Sequence, residues 1–196
     1  MKTAARRALL GFTLAALAAP VCWAGPREEV NESIEKFAAA RSYHADMEIA
    51  GTTPVTGQLD FVAPDRYRMS MSGMSGMGEQ TIIGDTMYLN MQGQTMQVPL
   101  PKGTLSQWRD PARLAENASS MAVTALGSEA LDGEAAKKYR VEHTQPRPST
   151  MTLWIGADGY PRQILASGEG QGGETVTTTI RYSRFNDPDI RIEAPN

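Results

Sequence analysis

The sequence predicts a mainly β (α+β) domain, an antiparallel sheet of about ten or eleven strands that curls, with two helical segments available to fill its concave side. Three observations predict it. Between Ser42 and Val98 apolar residues alternate with polar ones: Tyr43, Ala45, Met47 and Ile49 interleave with His44, Asp46 and Glu48. The same period returns in Leu59 and Phe61, in Tyr67, Met69 and Met71, and in Met87, Leu89 and Met91. Turn residues punctuate the runs, and further runs of the same kind follow after Ser120. Seven of the eleven methionines lie between Met69 and Met96. Methionine is unbranched, polarisable and able to repack, so its concentration on one sheet face suits an adaptable apolar contact better than a rigidly specified core.

The elements follow in order. Val30, Ile34, Phe37 and Ala38 recur at helical spacing, with Glu28 and Glu29 near the positive end of the helix dipole. The first strand runs from Ser42, and Gly51 to Gly57 turns the chain. Gln58 to Ala63 and Arg66 to Met71 are strands separated by the turn signal Pro64-Asp65. After a Gly- and Met-rich loop at residues 72–78, Gln80 to Ile83, Met87 to Met91 and Thr95 to Leu100 complete a meander, with Gly84-Asp85 and Gly93 at its turns. Thr104 to Ser120 changes character. Leu105, Trp108, Ala112, Leu114, Ala115 and Ala118 suggest one or two short helices broken near Pro111. Strands resume at Met121 to Leu126, Lys138 to His143, Thr150 to Ile155, Arg162 to Ser167 and Glu174 to Phe185, the last two joined by a hairpin loop over Gly168 to Gly173.

The first 24 residues read as an export signal. Lys2, Arg6 and Arg7 precede the apolar stretch Ala8 to Ala19, and cleavage is expected after Ala24. That stretch is shorter than the ~20 apolar residues a spanning helix needs, so residues 25–196 are expected as a single periplasmic domain. Lipid attachment at Cys22 is disfavoured, because Ala19-Pro20-Val21 makes a poor lipobox. Without the three basic residues of the leader, 16 Lys+Arg stand against 22 Asp+Glu, a formal net charge of −6. That sign, with basic residues scattered rather than striped, argues against nucleic acid.

Sharper chemistry finds little support. Met69, Met71, Met74 and Met77 are soft donors of the kind that select Cu(I), yet the first two already fit the strand period and no His or Met-rich tail accompanies them, so no metal is assigned. His44 and His143 are the only histidines, there is no Gly-x-Ser-x-Gly elbow, and both are read as lying opposite the apolar positions and facing solvent. Paired carboxylates for sugar cleavage do not stand out, and the sequons at Asn31 and Asn117 match at chance frequency. Trp154 reads as core, while Trp108, with Leu105 and Leu114, is the candidate for a lid entering a cavity. No catalytic residue and no cofactor is assigned.

A resemblance then emerges from the order of motifs. Ser42-Tyr43-His44-Ala45-Asp46-Met47 after a helix, Gly57-Gln58-Leu59-Asp60-Phe61-Val62 running into Pro64-Asp65-Arg66-Tyr67-Arg68-Met69, and Thr81-Ile82-Ile83-Gly84-Asp85-Thr86-Met87-Tyr88 resemble the LolA family of periplasmic lipoprotein carriers. Residues 133–141 and 153–164, including Leu153-Trp154-Ile155 and Gly159-Tyr160-Pro161-Arg162, are more similar to related lipid-binding lipoproteins of actinobacterial envelopes. The resemblance implies a half-barrel whose apolar hollow, under a helical lid, holds the acyl chains of a lipid or lipoprotein, without catalysis. A membrane-bound donor or acceptor protein is an implied partner. Met47, Tyr67, Met69, Met71, Met87, Leu89 and Met91 are then the expected lining, and Leu105, Trp108 and Leu114 the lid. In the carrier an arginine directly before the sheet proline latches the lid; Ala63 stands there in this chain, which leaves Arg66 or Arg68 as candidate latch. The alternative keeps the fold but fills the hollow with the protein's own side chains, as a sensor or scaffold that binds another envelope protein.

Overall fold

The structure, a computed structural model, describes residues 25–73, 78–91, 94–103, 120–143, 148–169 and 173–195. The expected leader, Met74, Met77 and the expected lid residues Leu105, Trp108 and Leu114 lie outside the described residues.

Helix α1 spans Pro26–Ala39, opening on a proline whose missing N–H would be unsatisfied there anyway. Glu28 and Glu29 occupy its first turn and Lys36 its last, each complementing the helix dipole. Eleven strands follow: β1 Ser42–Ala50, β2 Val55–Val62, β3 Arg66–Ser72, β4 Gln80–Ile83, β5 Thr86–Met91, β6 Gln94–Pro99, β7 Met121–Leu131, β8 Glu134–His143, β9 Ser149–Gly156, β10 Pro161–Glu169 and β11 Thr175–Ser183. All pairings are antiparallel in one sheet of order β6-β5-β4-β3-β2-β1-β11-β10-β9-β8-β7. The chain starts at the middle, meanders out to β6, resumes at the opposite edge with β7 and meanders back until β11 pairs with β1. The sheet stays open between β6 and β7, an antiparallel half-barrel of eleven strands. Among the described residues no helix is long and apolar enough to cross a membrane.

Several boundaries differ from the sequence reading. The turn after β1 is shorter than expected, because β2 already begins at Val55. β7 and β8 are longer by several residues each and meet at Asp132-Gly133, both with positive φ, a two-residue hairpin joining the paired Leu131 and Glu134. A bulge between Ala125 and Gly127 lets the longer strand keep its pairing. β11 stops at Ser183, not Phe185. Arg184 and Asn186 take left-handed backbone there, and Asn186 N–H donates to the Ser42 carbonyl. The chain leaves the sheet and stacks the Phe185 ring on Tyr160, with centroids 4.3 Å apart.

Two clusters form the core. One gathers Tyr43, Phe61, Tyr67 and Ile82 with Phe37 of α1; the other sets Val30 of α1 against Met121, Tyr139, Val141, Leu153 and Ile155. The face bearing these residues, under α1, is the inner face. Trp154 is buried as expected but alternates to the outer face, where Lys138 Nζ lies 4.9 Å from its ring centroid and its indole N–H donates to Glu129.

Candidate functional site

Strand register turns the sequence alternation into rows across the inner face. The first row is Tyr43, Phe61, Tyr67, Ile82, Met87 and Val98, directly paired from β1 to β6. Its first four members are buried, and its aromatic centroids stand 5.0 Å (Tyr43 to Phe61) and 4.9 Å (Phe61 to Tyr67) apart. The second row is Ala45, Leu59, Met69, Gln80, Leu89 and Met96. It opens toward the edge: Leu59, Met69 and Leu89 are half-buried and Met96 is 51% exposed. The third row holds Met47, Gly57 and Met71, with both methionines half-buried. Exposure therefore rises along the strands and toward β6.

The other half of the sheet is treated differently. Across β11, β10, β9 and β8 the third row continues as Ile180, Ile164, Leu153 and Tyr139, and α1 lies over this half, sealing Leu153, Tyr139 and Val141. A cavity of about 90 Å³ remains between the helix and the sheet, lined by Ile34, Phe37, Met121, Leu153, Ile164 and Tyr182 among others. Burial pushes the Tyr182 phenol up to about 12, so it stays neutral. The helix is tied down at both ends. Glu29 accepts from Lys137 Nζ at 2.8 Å and from the Tyr139 hydroxyl, while Lys36 donates to the Asp158 carbonyl and stands 4.7 Å from the Tyr160 ring centroid.

The residues expected to line a hollow fall together. Met47, Tyr67, Met69, Met71, Met87 and Leu89 share the inner face by register, and Met91 pairs in backbone with Gln94 on the same parity. Sequence reasoning left out of the lining Tyr43, Leu59, Phe61 and Ile180 on that face, and Val30, Ser33 and Phe37 on the helix. The period-2 alternation already carried the strand members, whereas the helix members needed the tertiary packing.

The candidate latch arginines have partners among the described residues, and the lid they would latch lies outside those residues. Arg68 donates to Asp60 at 2.8 Å on the outer face, and Arg66 donates to the Ile192 carbonyl of the C-terminal segment at 2.7 Å. Burial alone would raise Asp60, but hydrogen bonds from Arg68 and His44 outweigh it and hold this carboxyl below its ordinary range. His44 is on the outer face as expected, yet half-buried, with Nδ1 2.7 Å from Asp60 Oδ1. His143 corrects the sequence reading: it shares parity with Tyr139 and Val141, opposite Met121. The alternation of Tyr139, Val141 and His143 within that strand already carried this placement. Among the described residues no group of three or more His, Cys, Asp or Glu is placed to hold a metal.

Neither a protein-family model nor a curated protein sequence matches this chain. Solved structures do. The lipoprotein LppX of Mycobacterium tuberculosis superposes with a TM-score of 0.65 at 16% identity, covering 85% of this chain and 97% of its own. LprF from Mycobacterium bovis gives 0.61 at 15% identity, covering 87% and 96%. The chain has the fold of LppX and LprF. A LolA superfamily protein from Nitrosomonas europaea also matches over 86% of this chain and 96% of its own, more distantly, with a TM-score of 0.34 at 9% identity. The resemblance to lipoproteins of actinobacterial envelopes read from the sequence holds, for the fold, on the match to LppX. Within this LppX-like fold, the inner face offers two unlike surfaces: one half sealed by α1, the other rich in half-buried methionine.

Proposed function

We propose that this chain is a non-enzymatic periplasmic carrier or binding protein for a lipid or lipid-modified protein, working as the single domain of residues 25–196 once its leader is removed. The observation that carries the reading is the shared inner face of Met47, Tyr67, Met69, Met71, Met87 and Leu89, beyond the half that α1 seals. Acyl chains suit such a surface. Each buried methylene contributes ~0.8 kcal/mol, so about ten give roughly 8 kcal/mol before the cost of ordering the ligand, more than a few polar contacts at ~1 kcal/mol each supply. Methionine tolerates chains of differing shape.

Leu105, Trp108 and Leu114 belong to the connection between β6 and β7, the two free edges of the sheet. That connectivity supports their proposed role as the cover of the hollow. Delivery would require a membrane-bound donor or acceptor protein. The likeness to the lipoprotein LppX supports a place in the cell envelope.

Titration with an environment-sensitive fatty-acid probe tests the reading. Met69→Asp and Leu89→Asp are expected to weaken binding about tenfold or more, as a charge is placed against the chain, while the far-ultraviolet dichroism of the sheet is retained. Wild-type binding in both variants would sink the assignment of this face.

The second reading is a scaffold that fills its own hollow. It is favoured by the small size of the cavity under α1, about 90 Å³, and by the complete burial of Phe61 and Val30. In that case the parent protein binds no lipid probe.

A further inference from the structure

Ser33 lies in the middle of α1 on its buried side, between Val30 and Phe37 in the sequence, and is 2% exposed. Among the described residues its Oγ has no hydrogen-bond partner. A serine inside a helix ordinarily bonds back to the preceding turn or to water, and a buried hydroxyl with no partner is disfavoured. Ser33 lines two spaces at once. Below it is the apolar cavity of about 90 Å³ with Ile34, Met121 and Leu153. Beside it is a groove of about 510 Å³ between α1 and the β8–β9 end of the sheet, bordered by the charged Glu32, Lys36 and Lys137 as well as by Ala135, Ala136 and Ile155. The hydroxyl therefore stands between an apolar space and one that charged side chains border.

Water is a poor occupant of the inner space. The cavity exceeds the ~10–15 Å³ one water needs, but a buried water requires two to four polar partners, and apart from Ser33 and the Tyr182 ring this wall is aliphatic, aromatic or thioether. A hydroxyl donor between an apolar space and a charge-bordered one matches one part of an acylated molecule: the carbonyl that joins the chain to its polar remainder. Resting on the lipid-binding reading above, we propose that Ser33 Oγ–H donates to the carbonyl of an acyl ester or amide whose first few methylenes enter the cavity under α1 and whose polar part lies toward the charge-bordered groove. Ser33 thereby selects acyl linkages over alkyl chains that lack a carbonyl. Glu32, Lys36 and Lys137 bring both charge signs to the groove, so the polar part it takes is not limited to an anion.

The test compares 1-palmitoyl lysophosphatidylcholine with its 1-O-hexadecyl counterpart, which keeps chain, glycerol and headgroup and lacks the carbonyl. Each is titrated into the purified protein and into Ser33→Ala. The parent is expected to prefer the ester by roughly five- to tenfold, the equivalent of one hydrogen bond. In Ser33→Ala the preference disappears through weaker ester binding, with ether binding unchanged. The unfolding midpoint of ligand-free Ser33→Ala should equal or exceed that of the parent, since the variant removes an unpartnered polar group; this separates lost recognition from lost folding. Equal binding of ester and ether by the parent, or a preference that survives in the variant, overturns the assignment of Ser33 and leaves lipid binding standing. If the parent binds neither lysolipid, the carrier reading falls and the Ser33 proposal falls with it.

Discussion

The Tyr139 hydroxyl donates to the Glu29 carboxylate, which Lys137 also reaches at 2.8 Å, so the first turn of α1 is clamped to β8. The Lys137 hydrogen bond, and after it that from Tyr139, hold the Glu29 carboxyl below its ordinary 4.5. Because the folded value is lowered, the stabilisation is present above the unfolded value and is lost as pH falls through the folded one. Glu29→Gln is expected to lower stability at neutral pH by about 0.5 kcal/mol, a modest figure because water screens this surface carboxylate. Urea denaturation of both proteins from about pH 5 down to about pH 3 should show the gap narrowing. A gap that stays constant over that window would contradict the clamp.

The first row of the inner face is expected to carry the fold, and the methionine rows are not. Phe61 is fully buried between the rings of Tyr43 and Tyr67, so Phe61→Ala should destabilise by about 3–5 kcal/mol. Met96→Ala, at a half-exposed position on the same face, should stay within about 0.5 kcal/mol. Equal losses in the two variants would mean that burial does not grade along the sheet as described.

Asp132-Gly133 shows both how legible the fold was and where reading stopped. The strand succession and the antiparallel class followed from period-2 alternation and turn residues, and the N-terminal helix from the helical spacing of Val30, Ile34, Phe37 and Ala38. β7 and β8 were nonetheless cut short, because exposed Gly127, Ser128 and Glu129 break the apolar pattern just past the bulge between Ala125 and Gly127. The dipeptide Asp132-Gly133 was the signal for the longer hairpin. Gly133 has φ +86, and Gly133→Val should cost about 1–2 kcal/mol in denaturant unfolding. A neutral outcome would show that the turn relaxes to another geometry.

Of the site, the parity of the lining residues was legible and the partners of the arginines were not. Alternation says which face a residue takes; it does not say that Arg68 meets Asp60 across a strand pair or that Arg66 meets a carbonyl beyond residue 190. Arg68→Ala should accordingly lose about 1 kcal/mol of stability, with the exposed guanidinium limiting the effect, and leave lipid-probe affinity unchanged. Probe binding that drops with this substitution, at a temperature where the variant is folded, would instead support Arg68 as the latch.

The central claim is that the inner face holds acyl chains. Its most direct test is mass spectrometry of an organic extract from the protein purified without detergent out of its native envelope. The account predicts a stoichiometric acylated species, released on denaturation and absent from an equal amount of Leu89→Asp protein. An extract with no lipid above background, from parent protein that also fails to take up a fatty-acid probe, would contradict it and leave the self-filled scaffold in its place.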